Sequence, residues 1–290
     1  MRTTPRLSLA LLAALTFQAA EAQNVTLPMK DGSVRFAAIG DMGTGEPPQM
    51  EVARQMQQYY GKFAFSFVIM LGDNIYGGKS AAEMRRKFDV PYKPFMDAGV
   101  LFYAALGNHD DTNQRFYKPF NMGGERYYSY KKGNAQFFAL DSNYMDPKQL
   151  SWLEKELSSS KSDWKICYFH HPLYSSAAFH GSSTELRGIL EPLFQKYGVQ
   201  VVFAGHEHIY ERVKPQKGIV YFTEGASGQL RRGDLRKTEM TAQGFDQDQS
   251  FLLVEISGDD MFYQTVSRTG NTVDSGSIHR NAQASAATTN

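Results

Sequence analysis

The sequence predicts a layered α/β domain built largely on parallel strands, and three observations point there. Short apolar runs at 34–39, 65–71, 100–106, 164–169 and 199–204 each end abruptly in Gly or His and read as buried strands. Segments of helical spacing or composition, 49–60, 81–88, 147–157 and 184–197, lie between them, several opened by Pro or Thr and two closed by Gly61 and Gly198. The later runs 219–223, 251–256 and 261–266 lack long intervening helices, so they are expected to be antiparallel strands that close a second sheet. No repeat of 20 to 50 residues interrupts this order.

With 42% apolar and 21% charged residues in a chain of 290, the composition suits one or two globular domains and excludes a wholly disordered chain. The single cysteine, Cys167, excludes a disulfide-stapled scaffold and a Cys-rich zinc module; inside the run 164–169 it reads as a small buried thiol. At the N-terminus, Arg2 and Arg6 precede an apolar run over 7–17, then Ala20, Glu21 and Ala22 in the small-x-small pattern of a cleavage site. Residues 1–22 are therefore expected to be a secretory signal, with an uncleaved anchor as the other reading, and the mature chain to be secreted or periplasmic without stable membrane association. Lys and Arg number 31 against 30 Asp and Glu; losing two Arg and one Glu with the signal leaves 29 against 29. No strongly basic surface argues for nucleic acid as a partner. From Ser275 the chain turns to Ser, Ala, Asn and Thr, so 275–290 is expected to be a flexible tail and 23–274 a single catalytic domain.

Polar residues gather where strands end: Gly40-Asp41-Met42-Gly43, Gly72-Asp73-Asn74-Ile75-Tyr76, Gly107-Asn108-His109-Asp110, His170-His171-Pro172 and Gly205-His206-Glu207-His208. Open α/β sheets bind ligands at the carboxyl ends of their strands. Six of the seven histidines, all but His279, fall in or just after these clusters. One strand-end aspartate is usually a loop cap, but two aspartates, an amide and three histidines together make a pocket of oxygen and nitrogen donors suited to Fe, Mn or Zn. They outnumber the needs of one ion. Two ions sharing a carboxylate would use them all, in the arrangement that serves in-line displacement at phosphorus.

The ordered blocks GDxG, GDxxY, GNHD, HxP and GHxH, spanning Phe36 to His208, resemble the calcineurin-like metallophosphoesterases, specifically their purple acid phosphatase branch in its short, mammalian-like form. That resemblance implies a four-layer αββα sandwich of two mixed β-sheets. In the wider family a histidine stands two residues after the first aspartate; here that position is Gly43, and Tyr76 takes its place as it does in purple acid phosphatases, where the phenolate binds ferric iron. Carried over by position, the resemblance implies that Asp41, Tyr76 and His208 hold Fe3+, that Asn108, His170 and His206 hold a divalent ion (Fe2+, Zn2+ or Mn2+), and that Asp73 bridges the two. His109 resembles the histidine that reaches the phosphate and protonates the leaving oxygen. His180 is similar to a second substrate-facing histidine, with spacing from His170 about one residue longer than in the mammalian type. Asn108 would touch substrate as well as metal.

The implied activity is acid phosphatase chemistry, in which a metal-bound hydroxide attacks a phosphate monoester in line while an acid neutralises the departing alkoxide. Small phosphate esters are the implied partners, with phosphoproteins and nucleotides as further substrates. A phosphodiesterase, nucleotidase or pyrophosphatase on the same scaffold is the alternative, and a non-catalytic adhesion or iron-handling protein a more distant one. GxSxG, GxxxxGK[ST] and GxGxxG are all absent, so serine-hydrolase, P-loop and dinucleotide chemistries have no support. Four other features read as structure first. His171 should face away from His170 if the segment is extended, and it reads as a packed histidine or one that supports the ligands from behind rather than a ligand itself. The stretch 231–237, with its Arg232-Gly233-Asp234 triplet, reads as a solvated loop, with a place on the active-site rim as the other reading. Asp110 would orient His109 or cap its loop, and the aromatic-rich stretch 116–130 reads as packing.

Overall fold

The computed structural model describes residues 24–78 and 80–280. The signal reading of 1–22 lies outside them, as do residues 281–290 of the expected tail.

The chain opens with β1 (Val34–Ile39), α1 (Pro47–Tyr60), β2 (Phe67–Leu71), α2 (Ala81–Met84), a π turn at Arg85–Asp89, α3 (Val90–Asp97) and β3 (Leu101–Ala105). Short 3-10 turns then lead to β4 (Tyr128–Lys132), β5 (Ala135–Ala139), α4 (Pro147–Ser159), β6 (Trp164–Tyr168), α5 (Thr184–Tyr197) and β7 (Val201–Ala204). The chain continues through β8 (Tyr210–Gln216), β9 (Ile219–Glu224), β10 (Thr241–Phe245), β11 (Ser250–Ser257), β12 (Asp260–Ser267) and β13 (Thr272–His279). One sheet has the order β13-β12-β11-β1-β2-β3 and the other β10-β8-β9-β7-β6-β5-β4; each mixes parallel and antiparallel pairs.

Side-chain alternation builds the layers. In β1, Phe36 and Ala38 point between the sheets, while Ala37 and Ile39 pack with Val52, Met56 and Tyr59 of α1. In β6, Trp164, Ile166 and Tyr168 face the inter-sheet core, and Cys167 faces Leu153, Leu190 and Phe194 of α4 and α5. Both faces of each sheet are thus covered, giving helix, sheet, sheet, helix. Cys167 is fully buried and unpaired, as its surroundings demanded.

Three expectations need correction. The strands at 251–256 and 261–266 do not join the strand at 219–223: β11 pairs antiparallel with β1, extending the first sheet, whereas β9 lies parallel to β7 in the second. A short connection marks a hairpin but does not say which sheet receives it. The tail does not begin at 275, because β13 runs to His279 as an edge strand on β12, with buried Asp274 accepting from Tyr210 Oη at 2.7 Å and Arg212 Nε at 2.7 Å. The helix expected to end at Phe88 continues to Asp97 despite Pro91 and Pro94, after the wider π turn re-aims the backbone.

Candidate active site and metal centre

The loops after β1, β2, β3, β6 and β7 meet at one edge of the sandwich, where the two sheets touch through their ends. Asp41 N–H donates to the Gly72 carbonyl at 3.0 Å, His170 Nδ1 lies 2.9 Å from the Leu71 carbonyl, and His206 N–H donates to Asp41 Oδ2 at 2.8 Å. That crowding explains the glycine before most of the clusters. At Gly107 a Cβ would stand 2.2 Å from Asp73 Oδ1, and at Gly72, with φ of +89°, it would stand 2.6 Å from His170 Nδ1. Asp41, Asp73 and His206 themselves take φ of 53°, 51° and 69°, a left-handed conformation that costs about 1–3 kcal/mol at each non-glycine residue and is characteristic of functional loops.

Seven predicted donors converge as two sets. In one, Tyr76 Oη is 3.0 Å from Asp41 Oδ1 and 3.2 Å from His208 Nε2, and His208 Nε2 is 3.4 Å from Asp41 Oδ1. In the other, Asn108 Oδ1 is 2.9 Å from His170 Nε2 and 3.0 Å from His206 Nδ1, which are themselves 3.1 Å apart. Asp73 lies between them: its carboxylate falls within the Asp41 and His208 cluster, and Oδ1 is 3.5 Å from His170 Nε2. Position 43 has no room for a side chain, since a Cβ there would lie 1.9 Å from the Asn74 carbonyl oxygen. The Tyr76 N–H instead donates to the Gly43 carbonyl at 2.9 Å, which ties the loop that carries the phenol to the first ligand loop.

The donor set fits metal ions. Atoms 2.9–3.5 Å apart are spaced as neighbouring ligands on an ion with bonds of ~2.0–2.2 Å. Electrostatics say the same. Burial and the neighbouring Asp73 raise the Asp41 carboxyl well above the usual carboxylate range, and burial with the two carboxylates raises the Tyr76 phenol far beyond its ordinary value. Burial and crowding by other imidazoles push His206 down to about 2 and His170 well below normal, while burial and then Arg231 push His208 to about 4. Among the described residues no Lys or Arg pairs with Asp41 or Asp73, whose only ionic partners are ligand-type histidines. Acids held up and bases held neutral form a donor set that bound cations would bring back to anionic oxygens and neutral nitrogens.

His109 lies beside the Tyr76 phenol and His180 beside His206 of the other set. The exposed His109 ring lies 5.0 Å from the Tyr76 ring, and the His109 backbone N–H donates to Asp73 Oδ1 at 2.9 Å. His180 stacks on His206 with ring centres 4.2 Å apart. Asp110 does not contact the His109 ring; it accepts from the backbone N–H groups of Asn74, Ile75 and Gly107 and from Gln114, tying two ligand loops together. Burial and then Asp73 push its carboxyl up to about 7.

His171 is packed behind the ligand-type histidines, as expected, but it does not face away from them. Its ring is 4.4 Å from that of His206, because β6 ends at Tyr168 and the bend that follows breaks the strand alternation. It is held by Ser142 Oγ, 2.8 Å from Nδ1. The 231–237 stretch is exposed at Arg232, Gly233, Arg236 and Lys237, as a solvated loop should be, and it also borders the site: Arg231 stacks 3.8 Å over the Phe179 ring, and Asp234 of the Arg-Gly-Asp triplet is buried. From Asn108 and His171 a cavity of about 730 Å³ extends between Asn143, Tyr144, Leu186 and Ile189.

Two mixed sheets carrying such donors at their strand ends define a metallophosphoesterase. Residues 34–210 match the calcineurin-like phosphoesterase family, and the chain belongs to it. It is 30% identical over 276 residues to purple acid phosphatase 17 of Arabidopsis thaliana, covering 81% of each chain. Tartrate-resistant acid phosphatase type 5 of Mus musculus is 26% identical over 300 residues, 86% of this chain and 91% of that one. Among solved structures, purple acid phosphatase PPD1 from yellow lupin seeds matches at a TM-score of 0.75 and 21% identity, over 88% of this chain and 55% of that one. The family is one of hydrolases, and this member's homologues are acid phosphatases.

Proposed function

We propose that the chain is an exported acid phosphatase that hydrolyses phosphate monoesters at a centre of one ferric and one divalent ion. The observation that carries this reading is the division of seven donors into two sets around Asp73, with a phenol in only one of them. Asp41, Tyr76 and His208 would hold the ferric ion, since a phenolate is a hard anionic donor that favours a trivalent charge; Asn108, His170 and His206 would hold the divalent ion, and Asp73 both. When bound, the ions supply a hydroxide nucleophile at modest pH and offset charge on the phosphoryl oxygens. The chain's own groups do the rest. Asn108 and His180 orient the phosphate, and His109, free at the mouth, gives its proton to the departing oxygen.

The cavity beside Asn108 favours monoesters with an organic leaving group over pyrophosphate. Its walls offer Tyr144, Leu186 and Ile189, its charged lining residues, Asp110, Asp141 and Glu185, are acidic, and the nearby Arg126 is already paired with Asp141 at 2.7 Å and Asp146 at 2.8 Å, so a second phosphate would meet no unpaired cation among the lining residues. Export is supported by the pattern of residues 1–22. Kinetics on aryl and alkyl monoesters, a diester and pyrophosphate test the reading: monoester turnover at acid pH should lead by at least about tenfold, equivalent to ~1.4 kcal/mol in the barrier. Diester rates equal to or above monoester rates would overturn it.

Tyr76→Phe tests the metal assignment. Wild type should contain iron and absorb in the visible through charge transfer from the phenolate, and the variant should lose that band while keeping part of its activity, because Asp41, Asp73 and His208 remain. A colourless wild type with full iron would remove Tyr76 from the ferric site.

A further inference from the structure

We propose that Glu207 is the positioning residue of His180. This extends the proposed function, in which His180 orients the substrate phosphate. Glu207 stands on the turn between two ligand-type histidines, yet its side chain is fully buried and bonds to the 177–183 loop. Its Oε1 accepts the Gly181 N–H at 2.7 Å, which pins the residue following His180. Its Oε2 lies 3.6 Å from His180 Nδ1 and 3.7 Å from Arg231 Nη1. Both Oε2 and Nη1 are buried without a hydrogen-bond partner, a costly condition that a closure of a few tenths of an ångström toward His180 and Arg231 relieves. Catalytic hydrogen bonds are often this long before substrate binds.

The surroundings hold the pieces in register. The 231–236 strap is fastened to the loop before His180 by Ala178 N–H to the Asp234 carbonyl and Arg236 N–H to the Ser176 carbonyl, both 2.9 Å, with Ala177 and Leu235 in a β-bridge. Arg231 N–H donates to the His208 carbonyl at 2.9 Å, and its guanidinium covers Phe179, the neighbour of His180. Glu207 is thus enclosed by the loop it anchors. With Nδ1 turned to Glu207 and the ring laid on His206, Nε2 is the ring nitrogen left for the phosphate. A carboxylate behind an imidazole fixes both the ring's angle and its tautomer, as carboxylates do for catalytic histidines generally.

The test is a double-mutant cycle with Glu207→Gln and His180→Ala, read on a phosphate monoester, with metal content and melting temperature measured for every variant. Glu207→Gln should raise KM about five- to tenfold with kcat within about twofold, as His180→Ala does, and should add less than about 1.5-fold in the His180→Ala background, because a residue acting through another has nothing left to lose. Independent, multiplying effects, or loss of metal in Glu207→Gln, would overturn the proposal. A second measurement needs neither turnover nor a variant: the imidazole ¹⁵N shifts of His180 in metal-free wild type should show Nδ1 protonated, and an Nε2–H tautomer would overturn it. If wild type hydrolyses no phosphate ester, the proposed function fails while the tautomer still decides the place of Glu207.

Discussion

Asp73→Ala should lose both metals and turnover together. Asp73 is 1% exposed and is the residue whose carboxylate reaches both donor sets, so its removal strips an anionic ligand from each. The remaining six donors include one other carboxylate, Asp41, too few charges to hold a trivalent and a divalent ion in a buried pocket. Because the nucleophile and the offset of phosphoryl charge both depend on the ions, kcat/KM should fall by on the order of 10³ or more, which at 1.4 kcal/mol per factor of ten is about 4 kcal/mol of the barrier. The alanine variant also frees the His109 N–H that Asp73 accepts. Asp73→Asn separates these effects: it keeps an acceptor oxygen for that N–H and removes only the charge. It should fold with a native circular dichroism spectrum and still lack a full complement of metal. Two ions per chain with near-normal rates in either variant would remove Asp73 from the centre.

The site was far more legible in the sequence than the sheets were. Ligand-bearing loops leave strand ends that nearly touch, so glycine stands before Asp41, Asp73, Asn108 and His206, and those Gly-Asp, Gly-Asn and Gly-His pairs are visible in one dimension. Membership of a sheet is not. Nothing local says that β11 joins β1 rather than β9, because that choice is made by the inter-sheet core of Phe36, Leu252 and Val254. Several strands carried no clean pattern: β8 contains Pro215 and a register shift between Val213 and Gln216, and β10 contains Gly244 pressed against Leu235. β4 was read only as an aromatic stretch, since Tyr128 and Tyr130 pack inward from an edge strand whose partner, β5, is five residues long.

What stayed hidden at the site depended on long-range fastening. His171 joins the pocket because the chain bends after Tyr168, and Glu207 faces His180 because the 231–236 strap is zipped onto the 176–178 segment. A hint of the second was present: a carboxylate between two ligand-type histidines, following a buried strand, is placed for burial and would then need partners. Which partners only the folded chain could say.

His109→Ala should separate chemistry from metal binding. The ring lies beside Tyr76, and the residue's hydrogen bond to the centre is its backbone N–H to Asp73, which alanine retains. Both metals should therefore stay, and the visible band with them. The loss should fall in kcat, on the order of 10² to 10⁴, because a positioned general acid acts in the transition state and contributes little to ground-state binding. That loss should shrink for esters whose leaving group needs no proton, such as a phenol of low pKa, and stay large for alkyl esters, whose alkoxides cannot depart unprotonated. His180→Ala is the contrast. Its ring sits over His206, 38% exposed, so its loss should weaken substrate affinity with a smaller change in kcat and no dependence on the leaving group. Metal content and steady-state kinetics of both variants on alkyl and activated aryl phosphates decide between the two roles. An emptied metal site in His109→Ala, or equal slowing of both ester classes, would remove His109 as the acid and leave the departing oxygen to be protonated from water, the remaining source at an open mouth.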